Sequence, residues 1–160
     1  MYLNALEFLE EERDAWRPFE ALQEITDEQL DTAVEAARGW SARDLIGHLV
    51  AWQEWALAIA RDLAVNETSA ALARMNAEWD RDGDAMNDAI AAEWRTFTPD
   101  EVRRRLREVP GELRGYLTVV PEARWVKHTK HLETFVDETI DHYAEHTPDL
   151  EAILAAVDGA

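Results

Sequence analysis

The chain has 160 residues, no cysteine and a formal net charge of −18, with 34 acidic against 16 basic side chains. At this length we expect one domain over residues 1–160, and without cysteine there are no disulfides, thiolate zinc sites or cysteine nucleophiles. No apolar run approaches the roughly 20 residues of a membrane span and no signal pattern opens the chain, so we expect a cytoplasmic protein that does not contact membranes. The negative charge disfavours nucleic acid as a partner. It fits either a salty habitat or a surface for a basic partner.

The first third of the chain predicts two long helices. Apolar residues at helical spacing cover residues 3–24, with an interruption at Pro18. After a short link, Ser41 is placed to cap a second long helix and Asp44 lies in its first turn. This second helix is predicted to end near Asn66.

Residues 66–98 have the weakest helical pattern. Apolar residues around Met75 and Ile90 predict two short helices, separated by the break Asp80-Arg81-Asp82-Gly83-Asp84. The break resembles a calcium-binding loop, but Ala91 stands where the loop needs its bidentate glutamate, so we do not expect calcium there.

A third long helix is predicted from Thr98, which acts as its cap, followed by Pro99 and by Glu101 completing a capping box. A heptad-like rhythm continues past Pro110, so one bent helix is expected, ending at Pro121.

A loop then leads to the last long helix, which is predicted to break at Thr147-Pro148 before a terminal segment at residues 150–157. No segment has the pattern of a strand. Four long amphipathic helices predict an all-α four-helix bundle, with a long crossover between the second and third long helices.

Three histidines are the candidate functional residues. His142 and His146 are spaced i,i+4, so their rings project from one face of the last helix, and His48 lies on the second helix. At 100° per residue, all three fall on or beside the apolar faces, where a bundle places a metal. Three imidazoles with an open coordination position are typical of a catalytic metal site and not of a closed structural one.

Other interpretations of the histidines remain open. A histidine beside an apolar face is often a packed, hydrogen-bonded core residue. His128 and His131 lie in or near the preceding loop and are expected at the surface, at most near the mouth of the site.

Several neighbours are candidates for supporting roles. Glu138 and Asp44 each lie one turn before a candidate ligand, so each carboxylate either orients a histidine ring or forms a surface ion pair. Among the seven tryptophans, Trp52 and Trp55 lie on the His48 side of the second helix. They either line a pocket or fill the core.

At these residues the sequence resembles the DinB/YfiT-like superfamily, which is related to the N-terminal domains of mycothiol-dependent maleylpyruvate isomerases. Members typically carry a Trp-Ser/Thr-x-x-Asp-x-x-x-His-Leu segment and an HxxxH pair on the last helix. The matching segments are residues 39–52 (GWSARDLIGHLVAW), 98–102 (TPDEV) and 141–146 (DHYAEH).

The resemblance implies an up-down-down-up bundle, often a homodimer, with a divalent metal on His48, His142 and His146. Zinc or nickel is the expected metal, with iron or manganese as alternatives. The resemblance also implies a low-molecular-weight thiol as a possible cofactor, but it does not identify the reaction.

Two classes of function follow. In the first, a metal-dependent enzyme activates a water or a thiol, giving a hydrolase or a thiol-dependent S-transferase or isomerase that acts on a small electrophile in stress or detoxification. In the second, a noncatalytic bundle binds a ligand or a protein partner, and any metal is structural.

Overall fold

A computed structural model describes residues 1–160 and is helical throughout, with one isolated bridge between Val34 and Trp40. The predicted all-α class is confirmed. No helix is long and apolar enough to cross a membrane. The helices are α1 (Ala5–Trp16), α2 (Asp27–Leu30), α3 (Ala42–Val65), α4 (Ala70–Trp94), α5 (Pro99–Val119), α6 (Thr129–Val136) and α7 (His142–Asp158), with 3₁₀ segments at Arg17–Glu24, Glu35–Ala37 and Glu122–Arg124 and a π turn at Asp137–Asp141.

The interruption predicted at Pro18 is confirmed. The α1 helix begins after Asn4, whose side chain accepts a hydrogen bond from the Glu7 N–H, and it ends at Trp16. The chain continues as a 3₁₀ segment with Pro18 in its first turn, because proline has no N–H for a further α-helical bond.

The start and end of α3 are also as predicted. Ser41 accepts a hydrogen bond from the Asp44 N–H, and the Asp44 carboxylate accepts one from the Ser41 N–H, which completes a capping box. The helix ends at Val65, with Asn66 as its C-terminal cap.

The two helical pieces predicted within residues 66–98 are confirmed: α4 spans the 25 residues Ala70–Trp94, but it consists of two helical arms that meet at a kink within the predicted break. The break survives as a kink at Asp82, whose φ of −168° and ψ of 90° are not helical. The Asp82 side chain accepts the Ala85 N–H and so caps the second arm. The acidic run is therefore the kink of α4.

One half of the prediction for α5 is wrong. Thr98 caps the helix at the Glu101 N–H, but the Glu101 carboxylate bonds to Arg104 and Arg105 and does not close a capping box. As expected, α5 continues as one helix through Pro110.

The break predicted at Pro148 is absent, since α7 runs through it, and the irregularity lies one turn before His142. The π turn at Asp137–Asp141 accommodates one extra residue per turn. Phe135, Thr139 and Tyr143, which are spaced four residues apart across this wider turn, are all buried.

Two clusters of buried apolar residues form the core, and α3 contributes to both. Trp94 from α4 packs so closely on α3 that a Cβ at Gly47 would lie 2.7 Å from the Trp94 Cγ. Glycine at position 47 therefore permits the close approach of α4 next to His48.

Candidate metal centre

The structure brings His48, His142 and His146 together. One ring nitrogen from each lies within 4.8 Å of the others, and the Nε2 atoms of His48 and His142 are 2.9 Å apart. The three ring centroids are separated by 4.7, 4.8 and 4.9 Å. The three histidines named in the sequence analysis thus lie close together, and their role as metal ligands stays a prediction.

This donor set fits a divalent metal. Nitrogens bound at about 2.0–2.1 Å to one ion lie roughly 3.3 Å from one another, and that spacing falls between the 2.9 Å that separates His48 Nε2 from His142 Nε2 and the 4.8 Å limit for all three nitrogens. Burial, followed by the charge on His146, lowers the pKa of His48 to about 4. Burial, followed by the charge on His48, lowers the pKa of His142 to about 3. Both rings are therefore neutral at neutral pH, as metal ligation requires.

His146 is held by residues that the sequence analysis did not identify. Its Nδ1–H donates to Asp149 Oδ2 at 2.9 Å, and the Arg38 guanidinium pairs with the same carboxylate at 2.6 Å. A carboxylate on one ring nitrogen fixes the tautomer and leaves Nε2 for a metal. The i,i+3 spacing of His146 and Asp149 was the available sequence signal.

Arg38 and Trp40 reach the site through a left-handed turn. Arg38 has a φ of 61° and Gly39 a φ of 82°, a conformation that glycine adopts at little cost and arginine rarely does. Trp40 then stacks on His146 with a centroid separation of 5.5 Å and lies edge-on to His48 at 5.2 Å. The turn therefore packs an aromatic wall against two of the three histidines.

Neither carboxylate suggested as an orienting partner bonds to a histidine. Asp44 is engaged by Ser41 and Arg95, and Glu138 forms no hydrogen bond or ion pair. Burial, followed by the charge of Asp137, raises the pKa of Glu138 to about 7. The buried Nδ1 of His142 has no partner, so Asp149 is the orienting carboxylate at this centre and it serves His146 only.

The expectation for the other two histidines is half right. His128 is exposed, but His131 is buried and its Nδ1 lies 2.6 Å from the Arg124 carbonyl oxygen. The two rings stack at 3.8 Å. His131 is therefore a packed residue that closes the preceding turn, and neither ring joins the three-histidine cluster.

The three histidines line an open cleft of about 370 Å³ between α3, α4 and the π turn. Trp52 lines this cleft as one of the two expected tryptophans, whereas Trp55 lies elsewhere, under the Arg74 guanidinium. The other lining residues are Met75, Asn76, Trp79, Asp137, Glu138 and Glu145.

Comparison with known proteins gives one family. The model of the mycothiol maleylpyruvate isomerase N-terminal domain matches residues 9–140, most of the chain. His48 lies inside the matched range, and His142 and His146 lie just beyond its end. No curated protein and no solved structure matches the chain significantly. The chain belongs to the mycothiol maleylpyruvate isomerase N-terminal domain family, within the DinB-like metal-binding superfamily.

Proposed function

We propose that the protein is a metal-dependent enzyme in which His48, His142 and His146 hold one divalent metal at an open cleft. The observation that carries the proposal is the convergence of three imidazole nitrogens within 4.8 Å on a cleft of about 370 Å³. Three protein ligands with access from solvent leave a position for a reacting molecule. The reaction class is hydrolysis, or thiol-dependent S-transfer or isomerisation, on a small electrophile.

Each residue of the centre has a defined task. The lowered pKa values of His48 and His142 keep their lone pairs available at neutral pH. Asp149 holds His146 in the tautomer that presents Nε2. The metal itself would supply Lewis acidity and a lowered pKa for a coordinated water or thiol.

Glu138 is the residue of the cleft suited to moving a proton. Its pKa of about 7 lies close to neutral pH, where a carboxyl group both accepts and releases protons efficiently. It lines the same cleft as the histidines and has no competing ion pair.

Zinc or nickel is the proposed metal, with iron or manganese as alternatives, since imidazole binds all four. A thiol cofactor of low molecular weight is part of the proposal because the family is defined by mycothiol maleylpyruvate isomerases. Any sulfur in the reaction must come from outside, since the chain has no cysteine.

The alternative is a noncatalytic bundle in which a metal only stabilises the packing. A structural site has a closed coordination shell, and its chelation lowers the melting temperature strongly. A catalytic site would instead keep one coordination position open to solvent. In that case His146→Ala should abolish the activity. The position of the histidines on an open cleft favours the catalytic proposal.

Elemental analysis tests the proposal first. We expect about one metal per chain in the untagged protein and none in the His48→Ala/His142→Ala/His146→Ala variant. A His128→Ala variant, altered at an exposed histidine, is the matched control and should keep its metal. If zinc, nickel and manganese all fail to bind the wild type, the metal proposal is wrong.

Several further features stay proposals. The family resemblance supports an up-down-down-up helix order and a homodimer, and the composition supports a cytoplasmic protein without nucleic-acid or membrane partners. Sedimentation equilibrium tests the dimer, because a concentration-independent monomer mass would contradict it.

A further inference from the structure

A second cavity, of about 410 Å³, lies between the amino-terminal segment and α5, and its size is within the roughly 300–1,000 Å³ of small-molecule sites. It shares no lining residue with the cleft at the three histidines. Three arginines line it, Arg13 of α1 and Arg107 and Arg114 of α5, against the two carboxylates of Glu20 and Glu24. Basic side chains therefore outnumber acidic ones here, although the whole chain has 34 acidic and 16 basic side chains.

The three guanidinium groups have few partners within the chain. Arg107 is exposed and forms no ion pair or hydrogen bond. Arg13 lies 3.6 Å from Glu20 without a hydrogen bond. The Arg114 side chain is only 15% exposed and its Nε lies 3.1 Å from Glu12 Oε2, but that buried Nε has no aligned acceptor and the terminal nitrogens make no hydrogen bond. Guanidinium groups bind phosphate and carboxylate oxygens in pairs, and this donor capacity is unused at the cavity.

One turn of α5 leaves space between two of the arginines. Arg107, Gly111 and Arg114 occupy positions i, i+4 and i+7 of the helix, so they share one face. All three line the cavity. A Cβ added at Gly111 would meet no atom within 4 Å, so this position opens into free space. The helix therefore presents two guanidinium groups on either side of a gap that no side chain fills.

The lining chemistry selects a ligand that has both an anionic group and hydroxyl groups. A phosphate matches the paired donors of Arg107 and Arg114. The two carboxylates of the cavity accept hydrogen bonds from hydroxyl groups, and they repel an anion that has no such donors to offer. Trp16 and Leu106 also line the cavity but are only 2% and 3% exposed. Little apolar surface is therefore available for a hydrophobic ligand.

We infer that the cavity between the 3₁₀ segment Arg17–Glu24 and α5 binds a small phosphorylated polyol. The phosphate lies between Arg107 and Arg114, and the hydroxyl groups of the ligand face Glu20 and Glu24. Because the cavity and the three-histidine cleft have no lining residue in common, this binding does not depend on the proposed metal or on the proposed reaction.

Three probes test the inference, namely glycerol 3-phosphate, inorganic phosphate and glycerol. Isothermal titration calorimetry of the full chain in a phosphate-free buffer measures their affinities, and the backbone amide NMR signal of Gly111 reports where they bind. We expect glycerol 3-phosphate to bind about tenfold more tightly than inorganic phosphate, which is the effect of one hydrogen bond between a hydroxyl and a charged group. Both phosphates should shift the Gly111 signal, and glycerol should not bind.

Variants then assign the roles of the lining residues. Arg107→Gln, at an exposed and unpaired side chain, should weaken the binding of both phosphates about tenfold. Glu20→Gln/Glu24→Gln should narrow the difference between the two phosphates, because it weakens the acceptors for the hydroxyl groups and removes the repulsion of inorganic phosphate. Arg81→Gln is the matched control, since it removes the same charge from an exposed, unpaired arginine of α4 outside the cavity.

Four results would overturn the inference. The first is no binding of either phosphate. The second is equal or tighter binding of inorganic phosphate, which would identify a site for simple anions. The third is an equal loss of affinity in Arg81→Gln and Arg107→Gln, which would indicate attraction to the charge of the whole surface. The fourth is a set of NMR shifts at His48 and His142 without one at Gly111, which would place the phosphate at the histidine cleft.

Discussion

At the scale of single residues, Asp149 decides how His146 presents its ring to the cleft. The carboxylate accepts the Nδ1–H at 2.9 Å and is itself held by Arg38. We predict that Asp149→Asn lowers zinc affinity by about 10- to 100-fold, the usual effect of losing an orienting carboxylate. Competition with a chelator measures the affinity. Asp158→Asn, at the exposed end of α7, is the control, and an equal loss in both variants would contradict the assigned role of Asp149.

Protonation of the ligand histidines gives a second prediction at this scale. The pKa values of His48 and His142 are about 4 and about 3 in the folded protein, against about 6.5 in the unfolded chain. Between these values the unfolded state binds more protons, so the free energy of unfolding falls as the pH decreases below about 6.5.

For each of these two histidines, the free energy of unfolding falls by at most about 1.4 kcal/mol per pH unit. Urea unfolding of the metal-free protein at about pH 7 and pH 5 measures the change. The His48→Gln/His142→Gln variant should lose less stability on acidification than the wild type, whereas the exposed-site variant His128→Gln should behave like the wild type. A loss that is the same in all three proteins would show that other groups control the acid sensitivity.

At the scale of helices, the packing of α3 against α4 depends on glycine at position 47. A Cβ there would lie 2.7 Å from the Cγ of the buried Trp94. Overpacking costs about 1–3 kcal/mol, which outweighs the roughly 1 kcal/mol that alanine gains over glycine within a helix. We therefore predict that Gly47→Ala lowers the free energy of unfolding.

Gly115→Ala in α5 is the matched control, since no atom lies within 4 Å of its added Cβ. It should raise the free energy of unfolding by about 0.5–1 kcal/mol. Urea titrations measure the free energy of unfolding of both variants, which should fall in Gly47→Ala and rise in Gly115→Ala. If both substitutions stabilise the protein, the close approach of Trp94 does not require glycine.

At the scale of the whole molecule, a buried polar network joins four helices next to the three histidines. The Tyr143 hydroxyl donates to Glu12 at 2.9 Å and accepts from the Gln53 amide at 2.7 Å. Arg114 pairs with the same Glu12 carboxylate at 3.1 Å. Because Tyr143 is adjacent to His142, the network also fixes the rotation of α7 relative to α1, α3 and α5.

We predict that Tyr143→Phe lowers the free energy of unfolding by about 1–3 kcal/mol, because it removes the hydrogen-bond partner of the Gln53 amide nitrogen and of Glu12 Oε1, although Arg114 still pairs with Glu12 Oε2. Chemical denaturation measures the loss. Tyr116→Phe, at a side chain 37% exposed in α5, is the control and should change stability little. Equal effects would mean that the network contributes nothing beyond packing.

The helical class, the ends of α3 and the choice of three candidate histidines could all be predicted from the sequence alone. These depend on local rules, namely capping at Ser41 and ring direction at i,i+4 spacing, which act over a few residues. The three histidines lie close together because His48 and the later pair each lie beside an apolar face, and such faces meet in a bundle.

The course of the last helix and the surroundings of the histidines depend on how the helices pack against one another. Pro148 was predicted to break the last helix, yet α7 continues through it and the irregularity is a π turn, since packing of the buried face overrides local propensity. The partners of His146 are Arg38 and Asp149, 111 residues apart, and the cleft needs Trp79 from a kinked helix. Such long-range contacts depend on how helices pack and not on any local pattern, so a sequence indicates the ligands of a centre before it indicates what surrounds them.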